Sequence, residues 1–292
     1  METKTTSDNL TEKAFWETVN DAHAPTTSAP SRGGIMKRLG RRLIGPEKLA
    51  RYSVPYSGHY LWDILLPELV ARRASGRVLE VGSAPGHNLV QFHQRFGYEP
   101  YGVEYSASGV DANRALFRQH NLNPENVIHS DFFAESFQEK YKEFFDIVIS
   151  GGFIEHFNDV GRVIDHHLRL LAPGGQLIIL IPNLRGLNYW STWLLAPDVL
   201  PAHNLSLMDL KRFDSEFQRS DLRKTFCGYF GGISLLLSDL DRKTGAARIL
   251  APVMRKAQLA LDMATYAMFD GRSCRNRFLS PYLGFIGTKQ AS

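Results

Sequence analysis

Val78-Leu79-Glu80-Val81-Gly82-Ser83-Ala84-Pro85-Gly86, running on into His87-Asn88-Leu89-Val90, is the stretch on which the reading of the fold turns. An apolar run carrying one acid ends in a glycine-bounded turn and then takes up helical spacing, as a strand does when it feeds a helix through a tight loop. Gly82 and Gly86 let the backbone turn sharply and approach a ligand where a Cβ would collide. The helix opening near His87 points its free N–H groups and positive dipole end at the loop, which suits a carboxylate. Glu80, near the end of a buried strand, is costly unless hydrogen-bonded nearby, so it is expected to organise the loop.

Outward from this unit the pattern alternates. Strands are predicted at 77–81, 100–104, 127–130, 145–150 and 176–181, with helices at 87–96, 106–119 and 160–171 between them. A sixth strand is expected at 222–229 and a seventh at 282–289. Alternation of this kind implies right-handed crossovers. The expected fold is therefore a Rossmann-like α/β domain, a seven-stranded and mainly parallel sheet with helices on both faces. Ala172-Pro173-Gly174-Gly175 is expected to end a helix and turn the chain into the next strand. Ser206 with Asp209 resembles a capping box opening a helix toward Phe217.

Five regions are expected along the chain. Residues 1–34 are polar and Pro/Ser/Gly-rich toward their end, the composition of a flexible tail. Residues 35–75 form a helical amino-terminal cap, with Lys37, Arg38, Arg41, Arg42, Lys48 and Arg51 in its first part. An amphipathic helix over 58–73 follows, with Pro67 able to kink it. The ligand-binding core spans 76–230. A helical insertion, 231–281, contains a largely apolar helix at 253–269 and serves as a lid or an oligomer surface. Residues 282–292 supply the last strand and the carboxyl terminus.

The 292 residues are 43% hydrophobic and 22% charged, with a net charge of +4, enough for a full core and too nearly neutral to argue for nucleic acid. Cys227 and Cys274 form no disulfide framework or zinc knuckle. No run approaches the ~18 apolar residues of a membrane span. The amino-terminal segment has no apolar signal core, so the expected compartment is the cytoplasm and the sequons at Asn9 and Asn204 are chance.

Further acids and small residues stand at the carboxyl ends of the predicted strands, where a nucleotide-like ligand binds in this architecture. Glu104 closes the second strand, Asp131 the third with Phe132 and Phe133 after it, and Ser150-Gly151-Gly152 the fourth. Residues 76–183, and more weakly 282–287, resemble the class I S-adenosylmethionine-dependent methyltransferase superfamily. The run 149–157 with Ile181-Pro182-Asn183 and His203-Asn204-Leu205 is similar to small-molecule methyltransferases of natural-product and glycan pathways. The family's acidic-x-Gly-x-Gly-x-Gly loop reads here Glu80-Val81-Gly82-Ser83-Ala84-Pro85-Gly86, with Ala84 in place of the middle glycine. The resemblance implies S-adenosylmethionine as cofactor. It assigns Glu104 to the ribose, Asp131 to the adenine amino group, Phe132 to the ring, and Gly82 and Ser150 to the methionine portion. Glu80, Ser83, Ala84, Gly86, Asn88, Tyr105 and Gly151 complete the expected cofactor-binding set.

Methyl transfer from a sulfonium is an in-line displacement, so donor and acceptor must chiefly be aligned. A hydroxyl acceptor also needs a general base, an amine less so. His156, just beyond the fourth strand, has the intrinsic pKa for that role, and His203 is a second candidate. His59 and Tyr60 are weaker ones. The Glu155-His156 pair also resembles that of ubiquinone-biosynthesis and small-RNA 2′-O-methyltransferases, whose neighbouring acids and histidines bind a divalent metal; the resemblance offers Glu155, His156 and His203 as such a set, but Gly152 stands where a further acid would strengthen it, and no metal is expected. His166 and His167 are expected at a helix surface. Tyr189, Trp190 and Trp193 would suit a hydrophobic acceptor. The expected activity is methylation of an oxygen or nitrogen of a small molecule, with nucleic acid an improbable partner and a homodimer conceivable. Alternatives are an RNA or protein methyltransferase and a silent partner subunit. A nicotinamide oxidoreductase fits poorly, because the loop lacks G-x-G-x-x-G spacing.

Overall fold

The structure is a computed structural model that describes residues 9–11, 54–72, 75–235, 245–269 and 271–290. The basic segment at 35–51 and nearly all of the expected tail lie outside the described residues. Helix α1 begins at Tyr56–His59, widens into a π-helical segment Tyr60–Leu65 and closes with Leu66–Leu69. The wide segment precedes Pro67 and accommodates its ring. Then follow β1 (Arg77–Val81), α2 (His87–Phe96), β2 (Glu99–Glu104), α3 (Ala107–Gln119), β3 (Val127–His129), α4 (Glu135–Lys140), β4 (Phe145–Gly151) and α5 (Val160–Leu170). The chain continues through β5 (Leu171–Pro182), α6 (Leu187–Leu195), α7 (Leu210–Ser215), β6 (Leu222–Phe230), α8 (Gly245–Phe269) and β7 (Tyr282–Lys289).

The seven strands lie in the order β3-β2-β1-β4-β5-β7-β6, with β7 antiparallel to both its neighbours and the pairs from β3 to β5 parallel. The order reverses between β1 and β4, which opens a crevice at their carboxyl ends. Alternate residues of each strand feed two cores. Leu79, Val81 and Val148 pack with Val163, Ile164, Leu168 and Phe213 on one face. Val78, Ile147 and Ile149 pack with Leu61, Leu65, Leu89, Phe92 and Phe117 on the other. Both faces are thus buried by helices, as a parallel sheet requires.

Two local expectations are corrected. Ala172-Pro173-Gly174-Gly175 does not separate helix from strand: Leu171 already pairs with Phe145, and the next pair is Gln176 with Ile147, so 172–175 bulge out of a single strand. Gly174 makes the reversal at φ +77°. The cap of α7 is Asp209, whose carboxylate accepts from the N–H groups of Lys211 and Arg212, while Ser206 Oγ donates to Asn204 Oδ1.

The insertion after β6 leaves from the carboxyl end of that strand and packs on α1. Tyr56 N–H donates to Asp262 Oδ1 at 3.3 Å, Tyr266 OH to the Val54 carbonyl at 3.0 Å, and the Tyr56 and Tyr266 rings meet edge-on at 4.9 Å. Leu250, Val253, Leu259, Met263 and Met268 on α8 are exposed. Trp190 and Trp193, which would suit a hydrophobic acceptor, are 65% and 54% exposed, and Leu194 is exposed beside them. No described helix is long and apolar enough to cross a membrane.

Candidate active site

At the carboxyl end of β1, Glu80 is only 4% exposed. Asn88 in the first turn of α2 donates to its Oε1 at 2.6 Å, and its Oε2 is buried with no hydrogen-bond partner. Burial pushes the carboxyl up to about 8; the Asn88 bond opposes the shift and nearby Glu104 adds to it. The expectation that Glu80 organises its loop is thus met by a single short bond across eight residues. The loop is also stitched to β2, with Gly82 and Ser83 N–H donating to the Val103 carbonyl at 3.0 and 3.3 Å.

The two loop glycines have different reasons to be glycine. Gly82 has φ +68°, and a Cβ there would stand 3.3 Å from the Phe153 ring. Gly86 has φ +99°, and its Cβ would fall 2.2 Å from Asn113 Oδ1. Asn113, buried on α3, donates to Ser83 Oγ at 2.7 Å and to its carbonyl at 3.3 Å. Gly86 therefore makes room for a protein side chain that holds the loop, rather than for direct approach of a ligand. The Ala84-Pro85 bond is cis.

Glu104 closes β2 and is 5% exposed. Burial raises its pKa, opposed by the N–H groups of Ser106, Ala84 and Tyr105, of which Ser106 donates at 2.9 Å. The Tyr105 carbonyl accepts from His129 Nε2 at 3.1 Å. Asp131 is exposed and accepts from Phe133 N–H at 2.9 Å. The Phe132 ring is buried, with ring centres 4.8 Å from His167 and 5.6 Å from Phe153, so as it stands it serves the core. Ser150 is fully buried, whereas Gly151 is exposed with nothing within 4 Å of where a Cβ would lie. Open space therefore adjoins the exit of β4.

His167 corrects the expected surface position. It is fully buried, its Nδ1–H donates to the Val163 carbonyl at 2.7 Å, and its Nε2 accepts from Ser150 Oγ at 3.2 Å. Val160, Val163, Ile164, His167 and Leu168 share one helical stripe, a signal already present in the sequence.

Beyond β4 the chain makes a 3-10 turn, Ile154–His156, and meets a second turn, Pro197–Ala202, across 46 residues of sequence. His156 Nδ1 lies 2.7 Å from the Ala202 carbonyl, and His203 Nδ1 2.7 Å from the Val199 carbonyl. Asn204 N–H donates to the Glu155 carbonyl at 2.7 Å, and Asn204 Nδ2 to that of Phe157 at 3.3 Å. Leu10 N–H donates to the His156 carbonyl at 2.7 Å, so a piece of the amino-terminal segment is fastened to the same turn. The two imidazole centres are 4.4 Å apart, and His156 Nε2 is 4.0 Å from Glu155 Oε1. Burial, together with neighbouring His203, pushes His156 down to about 3; burial also lowers His203. Glu155 is fully buried with neither carboxylate oxygen in a hydrogen bond, and burial pushes it up to about 8, which the nearby N–H groups of Glu155 and Phe153 only partly offset. His59 instead pairs with Asp63 at 2.6 Å and Tyr60 stacks on Phe230, so both serve the packing of α1.

Residues 56–225, more than half of the chain, match the sequence family described as a methyltransferase domain. No curated protein matches the chain. Among solved structures, the MccD protein superposes with a TM-score of 0.54 at 12% identity, over 81% of this chain and 100% of that one. The geranyl diphosphate C-methyltransferase from Streptomyces coelicolor A3(2), solved with Mg2+, geranyl diphosphate and S-adenosyl-L-homocysteine, gives 0.51 at 15% identity over 90% and 86%. A putative methyltransferase from Bacillus halodurans C-125 gives 0.51 at 14% over 77% and 97%. At such identities these likenesses bear on the fold alone, and they agree with the sheet order and crevice described above. With the family match over the strands that carry Glu80, Glu104 and Ser150, they lead to one conclusion: the chain belongs to the methyltransferase domain family and is an S-adenosylmethionine-dependent methyltransferase of class I fold.

Proposed function

We propose that the enzyme methylates an oxygen or nitrogen of a small-molecule acceptor, which enters beside the turn Ile154–His156. The observation that carries this reading is the open space at Gly151, followed directly by a turn whose histidine meets a second one from the 197–204 segment. The residues at the carboxyl edge fit the cofactor. Glu80 keeps one buried oxygen without a partner, Glu104 stands at the adjoining strand end, and among the described residues nothing lies within 4 Å of where a Cβ on Gly151 would stand. In this reading Glu80, Gly82, Ser83, Ala84, Gly86 and Asn88 form the loop against the methionine portion. Glu104 and Tyr105 take the ribose, Asp131 and Phe132 the adenine end, and Ser150 and Gly151 border the methyl group.

When bound, S-adenosylmethionine supplies an electrophilic methyl group on a sulfonium, which leaves as a neutral thioether. The chain's own part is then to align the acceptor and receive its proton. The two Nδ1–H groups are spent on backbone carbonyls, so each imidazole presents Nε2 as an acceptor. With burial lowering both pKa values, both rings are neutral at pH 7. A hydroxyl approaching Gly151 can give up its proton on this side, the arrangement a hydroxyl acceptor needs more than an amine. Residues 35–75 and 231–281 are proposed to cover the acceptor, since α8 packs on α1 from the carboxyl end of β6.

Release of S-adenosylhomocysteine, followed across a panel of phenols, polyols, hydroxy acids and amines, with bulk RNA and protein as competing acceptors, tests the reading. Turnover on one of the small-molecule classes is expected. Turnover confined to RNA or protein, with none on any small acceptor, would overturn it.

A further inference from the structure

Beyond Gly151 the chain leaves β4 along a pinned path. Gly152 takes φ +69° with its N–H donating to the Leu180 carbonyl at 2.9 Å, and the carbonyl of the next residue, Phe153, accepts from His156 N–H at 3.2 Å. This path lays the Phe153 side chain against the first residue of the glycine loop. Two of its ring carbons, Cδ2 and Cε2, are the nearest atoms to where a Cβ on Gly82 would stand, at 3.3 and 3.9 Å. The ring is half-buried and packs among other rings. Between centres it lies 5.0 Å from Phe157, 5.6 Å from Phe132, 6.0 Å from His167 and 6.4 Å from Phe133. An aromatic cluster thus holds it where β4's exit and the glycine loop meet.

The sulfur of S-adenosylmethionine joins the methyl group to the methionine chain and the ribose. In the reading above, Gly82 borders the methionine portion and Gly151 the methyl group. A residue that lies against the first and follows the second by two positions stands at the atom joining them. We propose that Phe153 is a specificity-determining residue for the cofactor, whose ring borders the sulfonium and favours charged S-adenosylmethionine over neutral S-adenosylhomocysteine. The inference rests on that placement of the cofactor. A sulfonium spreads its charge over alkyl groups as a quaternary ammonium does, and an aromatic face attracts such a cation. A ring also suits the chemistry better than a carboxylate would, because a carboxylate beside an electrophilic methyl group is a competing nucleophile. The buried acids Glu80 and Glu155 at this edge, both pushed up to about 8 by burial, largely hold their protons at pH 7 and offer little negative charge. Once the methyl group has left, the thioether is neutral and the attraction is gone. The ring therefore acts on cofactor affinity and product release, and not on the barrier to transfer, since its grip is strongest before the reaction.

The full chain is titrated by calorimetry with S-adenosylmethionine and, separately, with S-adenosylhomocysteine. The same is done for Phe153→Leu and for a protein in which Phe153 is replaced by a trifluorinated phenylalanine, which keeps the ring's shape while weakening its negative face. In both variants S-adenosylmethionine affinity should fall by on the order of 10-fold, with S-adenosylhomocysteine affinity held within about 2-fold. The fluorinated ring keeps the test informative should the leucine variant fail to fold. Equal changes for the two ligands, or S-adenosylmethionine binding untouched by fluorination, would make Phe153 a packing residue and overturn the inference. Glu104→Ala, measured alongside, should weaken both ligands alike, because both carry the ribose. If it weakens neither, the placement of the cofactor fails and the inference falls with it; if it weakens both while the Phe153 variants do not discriminate, the inference alone fails.

Discussion

Glu80 and Glu155 are both buried glutamates at the carboxyl edge of the sheet, and burial pushes both up to about 8. Their surroundings differ. Glu80 receives a 2.6 Å bond from Asn88, eight residues on, inside one strand–loop–helix unit. The Glu155 carboxylate receives no hydrogen bond, and the groups it faces include His203, brought in from a distant turn. The first is a local device that shapes a loop. The second is a junction where distant segments meet, and its chemistry exists only once they do. In the proposed reading the contrast divides the crevice into a cofactor edge, built within β1–α2–β2, and an acceptor edge, assembled from β4's exit, the 197–204 segment and a piece of the amino-terminal segment.

The sharpest way to break this division is His156→Ala. Turnover should fall by on the order of 100-fold or more, with S-adenosylmethionine affinity by calorimetry unchanged. Equal loss of both would merge the two edges. Glu104→Ala should do the reverse, weakening cofactor affinity by roughly 100-fold, since charge-assisted bonds to hydroxyls are lost together. A variant that binds the cofactor as wild type does would remove the ribose assignment.

Gly86→Ala probes the cofactor edge through its packing. A Cβ 2.2 Å from Asn113 Oδ1, at φ +99°, should displace Asn113 from Ser83. An expected cost of about 2 kcal/mol in a denaturant titration follows from strain and overpacking. If stability is unchanged and only cofactor binding suffers, the glycine serves the ligand after all. The subtlest effect is the pH dependence that Glu80 lends to the fold. Its folded pKa is raised to about 8 from 4.5, so the folded state holds a proton that the unfolded chain releases. That contribution is fully present below pH ~4.5 and fades as pH rises through about 8. Glu80→Gln should therefore lose less stability than wild type between pH 5 and 9, and parallel curves would mean that Glu80 ionises freely in the fold.

The legibility of the molecule followed range. The strand at 77–81, the helix at 87–96 and the strand at 282–289 were readable to the residue, because their periodicity and glycine boundaries are local. The excursion at 172–175 was misplaced, since only pairing with β4 shows that Leu171 already belongs to the sheet. His167 was placed at the surface although its helical stripe pointed inward. Asn113 gave no local sign of its hold on Ser83.

The amino-acid sequence by itself determined a doubly wound sheet, the glycine loop after β1, and the acids at successive strand ends, because alternating periodicity and turn chemistry act over a few residues. Only the tertiary structure decided that Gly86 yields to Asn113, that His167 supports Ser150, and that Glu155, His156 and His203 converge. Those contacts join residues tens of positions apart, and their energies depend on which groups burial leaves facing one another, a quantity that no local pattern encodes.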